Sequence, residues 1–545
     1  MEKPRDQIEA ETQEFKKVIE RHERMKARRQ PYEKTWQDAY DYTLPRKASI
    51  TTTRTEGSQT GIEVYDSTAV TSNEILAATL ASILTPETYP FIELFFGIPK
   101  HDEDEEVQGW LQYVAHVIHA ILNGSNFHTE QHENYLDDGA IGNSCMYIGD
   151  DKQNFIHCSA RAMKEIFIEE NNLGQVDIVH REYQWTPRQI VQEFGEAVLP
   201  MQTRKKYSEG KEEPCTIIHA VEPYAKQGNY FGFRSRYFLK EEMAKLSEKG
   251  FKEFPYLVSR WSKTAGEIYG RGPGTNVLSE TKMVNAMMEA VIRGAQLAIA
   301  PPLAVQDDGV IGKVRLTPHG LTVVRTGLEK PIQSLLPQDT RIDFGQQMVE
   351  DVRRRLRSGF YVDRILLNDG TGPQKTAYET AKIVEEQTRF MSPMLGRKKF
   401  DHLRPLVERI FGIAQRRGLI PDPPEQVAGL KFEPRYSSMI ARMQKIAEAE
   451  NFNRALQAAA PLINAFPEAK DNINPDRALR KLFSIYGSPQ QVMATAREVK
   501  EIRASRAKAQ QAAMAQAQEQ HEAAVVGQVG PTLVQSQQAQ QQAAG

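Results

Sequence analysis

The stretch that most constrains this chain runs from residue 279 to residue 418. It reads as a helix, a short strand-rich excursion, a second helix, a Gly-rich loop and a long broken helix. The first helix begins near Ser279, where Met283, Val284, Met287, Met288, Val291, Ile292, Ala295 and Ala298 make a wide apolar stripe. Pro301-Pro302 ends it. Residues 303–337 hold strands at Leu303–Val305 and Leu321–Arg325, punctuated by Gly and Pro. The second helix, about Thr340 to Arg357, sets Ile342, Val349, Val352 and Leu356 on one face. Arg353, Arg354, Arg355 and Arg357 fall mostly elsewhere. Two helices that leave and return around a small projecting module suit a subunit that stands beside copies of itself. Met287, Val291, Val352 and Leu356 are the candidates for that packing.

Asn368-Asp369-Gly370-Thr371-Gly372-Pro373-Gln374-Lys375 is a flexible loop by composition. Thr376 and Glu379 form a capping box that opens the next helix. That helix is interrupted at Pro393, is expected to kink at Pro405, and stops at Gly418 with Pro421 beyond. The remainder to about Gln520 is helical and turns rich in Ala and Gln. Residues 525–545 lack a core-forming pattern and read as disordered.

Before this stretch, residues 6–29 carry a helical stripe of Ile8, Phe15, Val18, Ile19 and Met25, which Pro31 is expected to stop. A short second helix is expected around Trp36, Ala39 and Tyr40. Residues 46–61 read as an exposed loop. Asp66-Ser67-Thr68 offers capping side chains to an apolar helix through Ile75, Leu76, Leu80 and Ile83. A strand at 91–96 and a helix from about Glu103 to Leu122 follow. From Met146 to Tyr269 short β-prone runs dominate: Cys145–Ile148, Ile166–Ile168, Val176–His180, Thr216–Val221, Tyr230–Leu239 and Tyr256–Trp261. Turns at Asn171-Asn172 and Gly228-Asn229 separate some of them, and one helix, Pro187 to Phe194, interrupts. The pattern predicts an α+β region of mostly antiparallel strands.

With 545 residues the chain can bury several cores, and its 26% charged and 40% hydrophobic residues are those of a folded protein. Its formal charge is -2, so it lacks the basic surplus of a tight nucleic-acid binder and any DNA contact must be local or weak. Cys145, Cys158 and Cys215 are too few and too scattered for a zinc site or a disulfide framework. No signal peptide is expected from the charged start. The stretch from Met283 to Ala300, broken by Glu289 and Arg293, is too short for a bilayer. The chain reads as soluble and intracellular in origin.

The chemical motifs dissolve on inspection. Gly370–Thr376 resembles a phosphate-binding loop, but Gln374 stands where that loop needs Gly before its Lys, and no apolar strand precedes it. Tyr269-Gly270-Arg271-Gly272-Pro273-Gly274 has Pro273 inside it and reads as a tight turn before a helix. His128 and His132, like His116 and His119, sit a helical turn apart without the Glu placement of a zinc-protease helix. The acids at 102–106 suit a helix N-terminus. No nucleophile elbow is present. The basic run Arg353, Arg354, Arg355 and Arg357 reads as either phosphate-facing or paired with acids on a neighbouring subunit, and Lys375 at the base of the loop is the other candidate DNA contact. No catalytic residue, metal ligand or cofactor is assigned.

Several pieces in order carry a resemblance. They are Trp36 with Tyr42-Thr43-Leu44-Pro45-Arg46, Tyr65-Asp66-Ser67-Thr68, Tyr269-Gly270-Arg271-Gly272-Pro273, Thr376-Ala377-x-Glu379, Arg404-Pro405-Leu406 and Gly418-Leu419-Ile420-Pro421. Across nearly its whole length the chain resembles the portal, or head-to-tail connector, proteins of short-tailed bacteriophages. The resemblance implies a helix-rich α+β portal fold. Residues 1–45 would be an N-terminal helical arm, 46–278 an α+β wing, 279–300 a stem helix, 301–337 a clip, and 338–361 the second stem helix. Residues 362–376 would be the tunnel loop, 377–418 a kinked wing helix, 419–499 a crown, and 500–545 a helical barrel segment and flexible tail. It also implies a homo-oligomeric ring, usually of twelve subunits, made in the host cytoplasm and placed at one capsid vertex of the virion. Double-stranded DNA would pass through its channel. The terminase motor, tail adaptor and tail proteins, and major capsid and scaffolding proteins would be its partners, with no membrane and no cofactor.

The near-zero net charge suits such a conduit. Each phosphate neutralised by Lys or Arg releases counterions and tightens binding, so a strongly basic bore would trap the duplex. The competing readings are a DNA-packaging enzyme, an ATPase or nuclease, which nucleotide hydrolysis would reveal, and a non-channel adaptor or scaffold, which a stable monomer would reveal.

Overall fold

The computed structural model describes residues 5–299 except 56, 62–63, 103 and 225–231. It also describes the strands at 303–307, 321–325 and 332–334, residues 342–365 and 393–436, scattered positions between 452 and 479, and 498–516. The chain divides into two compact units, Met1–Ala441 and Arg442–Gly545.

Helix α1 runs unbroken from Arg5 to Thr43, with Pro31 inside it. The expected stop at Pro31 and the separate short helix are therefore corrected to one element. An internal proline costs a helix about 3 kcal/mol. Here both flanks are held from outside. Arg29 donates to the carbonyls of Met163 (2.9 Å), Lys164 (2.7 Å) and Ile166 (3.0 Å) and lies over the Phe167 ring. On the other side Trp36 and Tyr40 are buried, and Trp36 meets Tyr269 edge-on. Burying two such rings is worth about 1.5–3 kcal/mol each, enough to offset the proline.

Helix α2 (Thr68–Leu84) starts after Asp66, whose Oδ1 accepts from the Thr68 N–H. Strand β1 (Ile92–Phe95) and helix α3 (Glu105–Asn123) follow. Helix α4 (Phe127–Ile141) ends on Gly142, whose φ of 77° is the left-handed cap that glycine adopts without strain.

Eight strands then build two antiparallel sheets. Strands β2 (Asn143–Asp151), β3 (Phe155–Arg161) and β9 (Tyr256–Arg260) form one, in the order β3-β2-β9. Strands β4 (Ile166–Glu170), β5 (Val176–Trp185), β6 (Cys215–Pro223), β7 (Phe233–Leu239) and β8 (Ala244–Phe251) form the other as a meander. Strand β1 stands apart from both sheets and pairs with a strand that returns later in the chain. Helices α5 (Pro187–Phe194, with a capping box at Thr186) and α6 (Met201–Ser208) lie between β5 and β6. Strands β3 and β8 and helix α6 escape the sequence reading. Ala244-Lys-Leu-Ser-Glu-Lys-Gly-Phe251 has no β-branched residue, and its charges suit a sheet edge.

The glycines of the 269–274 turn serve a close approach. Any side chain at Gly272 or Gly274 would collide with the backbone of Asp138, Ala140 or Gly142 at the end of α4. Beyond that turn come helix α7 (Leu278–Ile299), strands β10 (Leu303–Asp307), β11 (Leu321–Arg325) and β12 (Ile332–Ser334), and helix α8 (Ile342–Gly359). β10 pairs in parallel with β11 and antiparallel with β12.

The last long helix changes pitch where the proline predicts trouble. Residues 393–398 are α-helical, Lys399–Leu403 form a π turn, and α9 (Arg404–Arg416) resumes the α pitch. The Arg404 N–H donates to the Lys399 carbonyl, five residues back, immediately before Pro405, which has no N–H to give. Strand β13 (Glu433–Tyr436) then returns to pair with β1. The main core sits where α2, α3, α4, β2, β9 and α9 meet, around Leu76, Ile118, Tyr135, Met146, Leu257 and Ile410. In the second unit the described positions are largely helical, and Arg503 pairs with Asp476 at 2.6 Å.

Candidate functional site

The α7–α8 pair forms its own small core. Val284 packs with Val349, Val352 and Leu356, and Val277, Met287, Met288 and Val291 close over them. Val352 and Leu356 are buried inside one chain, whereas Met287 and Val291 are half-buried. Met283, Ile292 and Met348 stay exposed, and Ile299 at the helix end is 85% exposed.

The arginines of α8 divide into two groups. Arg353 Nε donates to Asp66 Oδ2 (2.8 Å), and Arg357 donates to Glu350 Oε1 (2.7 Å). Arg354 is exposed, with Asp351 3.8 Å away, and Arg355 is exposed without an ion pair to any described residue. Asp66 is also where the pair is fastened to the rest of the unit. Asn285 Oδ1 on α7 accepts from the Tyr65 and Asp66 N–H groups (2.9 and 3.0 Å). Burial pushes the Asp66 carboxyl up, but the hydrogen bonds from Thr68 and Arg353 outweigh it and hold the group below its ordinary value. The Tyr65–Thr68 motif is thus a joint between α2, α7 and α8.

A second constellation, which the sequence does not announce, surrounds α4. Lys398 is buried, forms an ion pair with Asp138, and donates to Ser259 Oγ at 3.0 Å. Arg260 is fully buried between Asp401 (2.9 Å) and Glu170. His402 meets Gln131 at 2.7 Å, and Asp137 accepts from Tyr40 (3.0 Å) and Lys47 (2.9 Å). The π turn before Pro405 brings Lys398, Asp401 and His402 inward together. Burial drags the Lys398 ammonium well below the usual lysine range, with Asp401 and Asp137 pulling it back. Lys398 and Arg260 each face counter-charges that tie α4, β9 and the π turn together, and Arg260 and Asp401 also border a cavity of about 780 Å³.

The other residues considered for chemistry have structural duties. Asp104 caps α3 through the Glu106 and Val107 N–H groups, and Asp102 accepts from Phe96 N–H. His119 accepts from the Phe91 and Ile92 N–H groups, and burial pushes its pKa down to about 4. The three cysteines are buried and unbridged, and burial pushes the Cys145 and Cys158 thiols up to about 12. Among the described residues no His/Cys/Asp/Glu group suits a metal, and no helix is long and apolar enough to cross a membrane. Lys375 and the capping box of Thr376 and Glu379 lie outside the described residues.

The described residues form mixed helices and sheets around a core laced with ion pairs. The model of the family described as "Bacteriophage head to tail connecting protein" matches residues 15–493, and the chain belongs to that family, a structural connector of head and tail. It is similar to the "Probable portal protein" of Bordetella phage BPP-1, 27% identical over 92% of this chain and 93% of the relative. It is similar too to the "Portal protein" of Salmonella phage epsilon15, 25% identical over 93% of this chain and 94% of the relative. A solved structure described as "Neck of empty GTA particle computed with C6 symmetry" aligns with 72% of this chain and 87% of that one. It is 10% identical, with a TM-score of 0.33.

Proposed function

We propose that copies of this chain join edge to edge into a ring, twelve by family likeness, at one capsid vertex, and that duplex DNA passes through the hole. In this reading α7 and α8 are the stem. The β10–β12 module is the clip that meets the terminase motor during packaging and the tail proteins afterwards. Residues 362–376 are the tunnel loop, with Lys375 facing DNA, and capsid and scaffolding proteins surround the ring.

The observation that carries the reading is the division of labour on the helix pair. One face of each helix is satisfied within the chain, while Met283, Ile292 and Met348 remain for a neighbour. A heterologous contact of that kind closes into a ring when its rotation allows. Arg353 and Arg357 are held by acids, which leaves Arg354 and Arg355 as the α8 cations open to phosphate. Few open cations give weak, sequence-blind contact, which a moving duplex requires.

Electron microscopy of the purified protein tests this directly. Annular particles with an opening as wide as a double helix are expected; solid particles, or monomers at every concentration, overturn it. The chain acts without chemistry in this reading, so sustained ATP hydrolysis or DNA cleavage by the purified protein also counts against it.

A further inference from the structure

Strand β13 pairs with β1 on one side, from Ile92 opposite Tyr436 to Phe95 opposite Glu433, and with no other described strand. A cavity of about 330 Å³ lies against it. Glu433, Pro434, Arg435 and Tyr436, four consecutive residues, all wall that cavity. Successive strand side chains point to opposite faces, so a space touched by all four runs along the strand's edge. Facing it are Lys399 and Phe400 from the π turn and Arg404 from the start of α9.

The walls are short of negative charge. Lys399 is half-buried without an acidic partner among the described residues, and its Nζ stands 5.9 Å from the centre of the Tyr436 ring. Burial alone pushes its ammonium below the ordinary lysine value. Arg435 lies over the Phe95 ring at 4.5 Å and pairs with no described acid. Arg404 has a partner, Glu408 Oε1 at 3.2 Å. Glu433 is the one acid among the described wall residues and is exposed. The Tyr436 hydroxyl is enclosed behind the wall, without a hydrogen-bond partner among the described residues.

We propose that this edge cavity binds an extended acidic segment of a partner protein, whose carboxylates pair with Lys399 and Arg435. A helix is about 10–12 Å across and a duplex wider still, so neither enters a space of this volume, whereas an extended chain does. Pro434 lacks an N–H, so the segment cannot form a full ladder along β13, and charge supplies most of its hold. Phe400, 44% exposed, and Pro434 offer apolar surface to the residues flanking the acid. This binding does not require ring closure.

The test uses the full-length protein and a fluorescein-labelled peptide of alternating glutamate and valine, followed by anisotropy. The Lys399→Gln/Arg435→Gln double variant should weaken binding about tenfold or more, the worth of a charge-assisted hydrogen bond. A glutamine–valine peptide should not bind. Inorganic phosphate should compete no better than chloride at matched ionic strength. Thermal melts of the variants guard against misfolding. Equal binding to wild type and double variant, no binding to wild type at millimolar peptide, or displacement specific to phosphate each overturns the proposal.

Discussion

At the scale of single residues, what distinguishes this chain is how it keeps its buried charges neutralised. Asp66 is nearly inaccessible and receives Arg353, Thr68 and the fold's attachment to α8 at once. Asp66→Asn should lower stability by about 1–3 kcal/mol in urea unfolding, the usual effect of spoiling a hydrogen bond to a charged group. The effect has a definite pH sense. A carboxyl held below its unfolded pKa stabilises the fold fully above that value and loses the contribution as pH falls through the folded pKa. The gap between wild type and variant should therefore be constant near neutrality and close below about pH 4. A gap that widens on acidification would contradict the assignment. Lys398→Met should be harsher, at about 3–5 kcal/mol, because it strands Asp138 in the core; pairing it with Asp138→Leu should restore much of the loss. Chemical denaturation of the single and double variants measures both.

At the scale of elements, the α7–α8 pair separates two kinds of apolar residue that periodicity alone merges. Val284, Val352 and Leu356 pack within the chain, whereas Ile292 and Met283 stand outside. Val352→Asp should loosen the pair itself, costing about 2 kcal/mol or more for a buried unpaired charge, and should lower the melting temperature. Ile292→Asp should leave the melt of the isolated chain nearly unchanged while preventing assembly, as read by size-exclusion chromatography and electron microscopy. Assembly that survives Ile292→Asp would show that this face is not used. Much of the element order was legible beforehand. The stripe from Val284 to Val291, the helix opened by Pro187, and the β-prone runs at Thr216 and Tyr256 are local signals. Helix α4 was not legible. Gln131, Asn134, Asp137 and Asp138 look like a solvent face, yet they point into the core. Their partners Tyr40, Lys47, Lys398 and His402 come from distant stretches of chain, which no local window contains.

At the scale of the whole molecule, the functional claim concerns an assembly larger than one chain. Deleting residues 368–375, or Lys375→Ala within them, should impair DNA packaging or retention in particles while ring formation persists. Full genome content in such particles would refute the tunnel-loop assignment. Subunit contacts depend on shape at a distance and leave no spacing signal, so the candidate packing residues split once tertiary positions were known. Lys399 and Arg435 drew no notice in the sequence, being isolated basic residues on separate elements until β13 returns beside the π turn.

The sequence by itself determined the helices α7 and α8 with strands β10 and β11 between them, the near-neutral charge and the glycine turn at 270–274. Those follow from periodicity, composition and backbone sterics, which act over a few residues. Only the tertiary structure decided that α1 runs through Pro31, that a polar helix lies at the centre, and which face of α7 and α8 is already occupied. In each case the deciding energy comes from groups far along the chain, where a buried charge or an interrupted helix meets the partner that makes it tolerable.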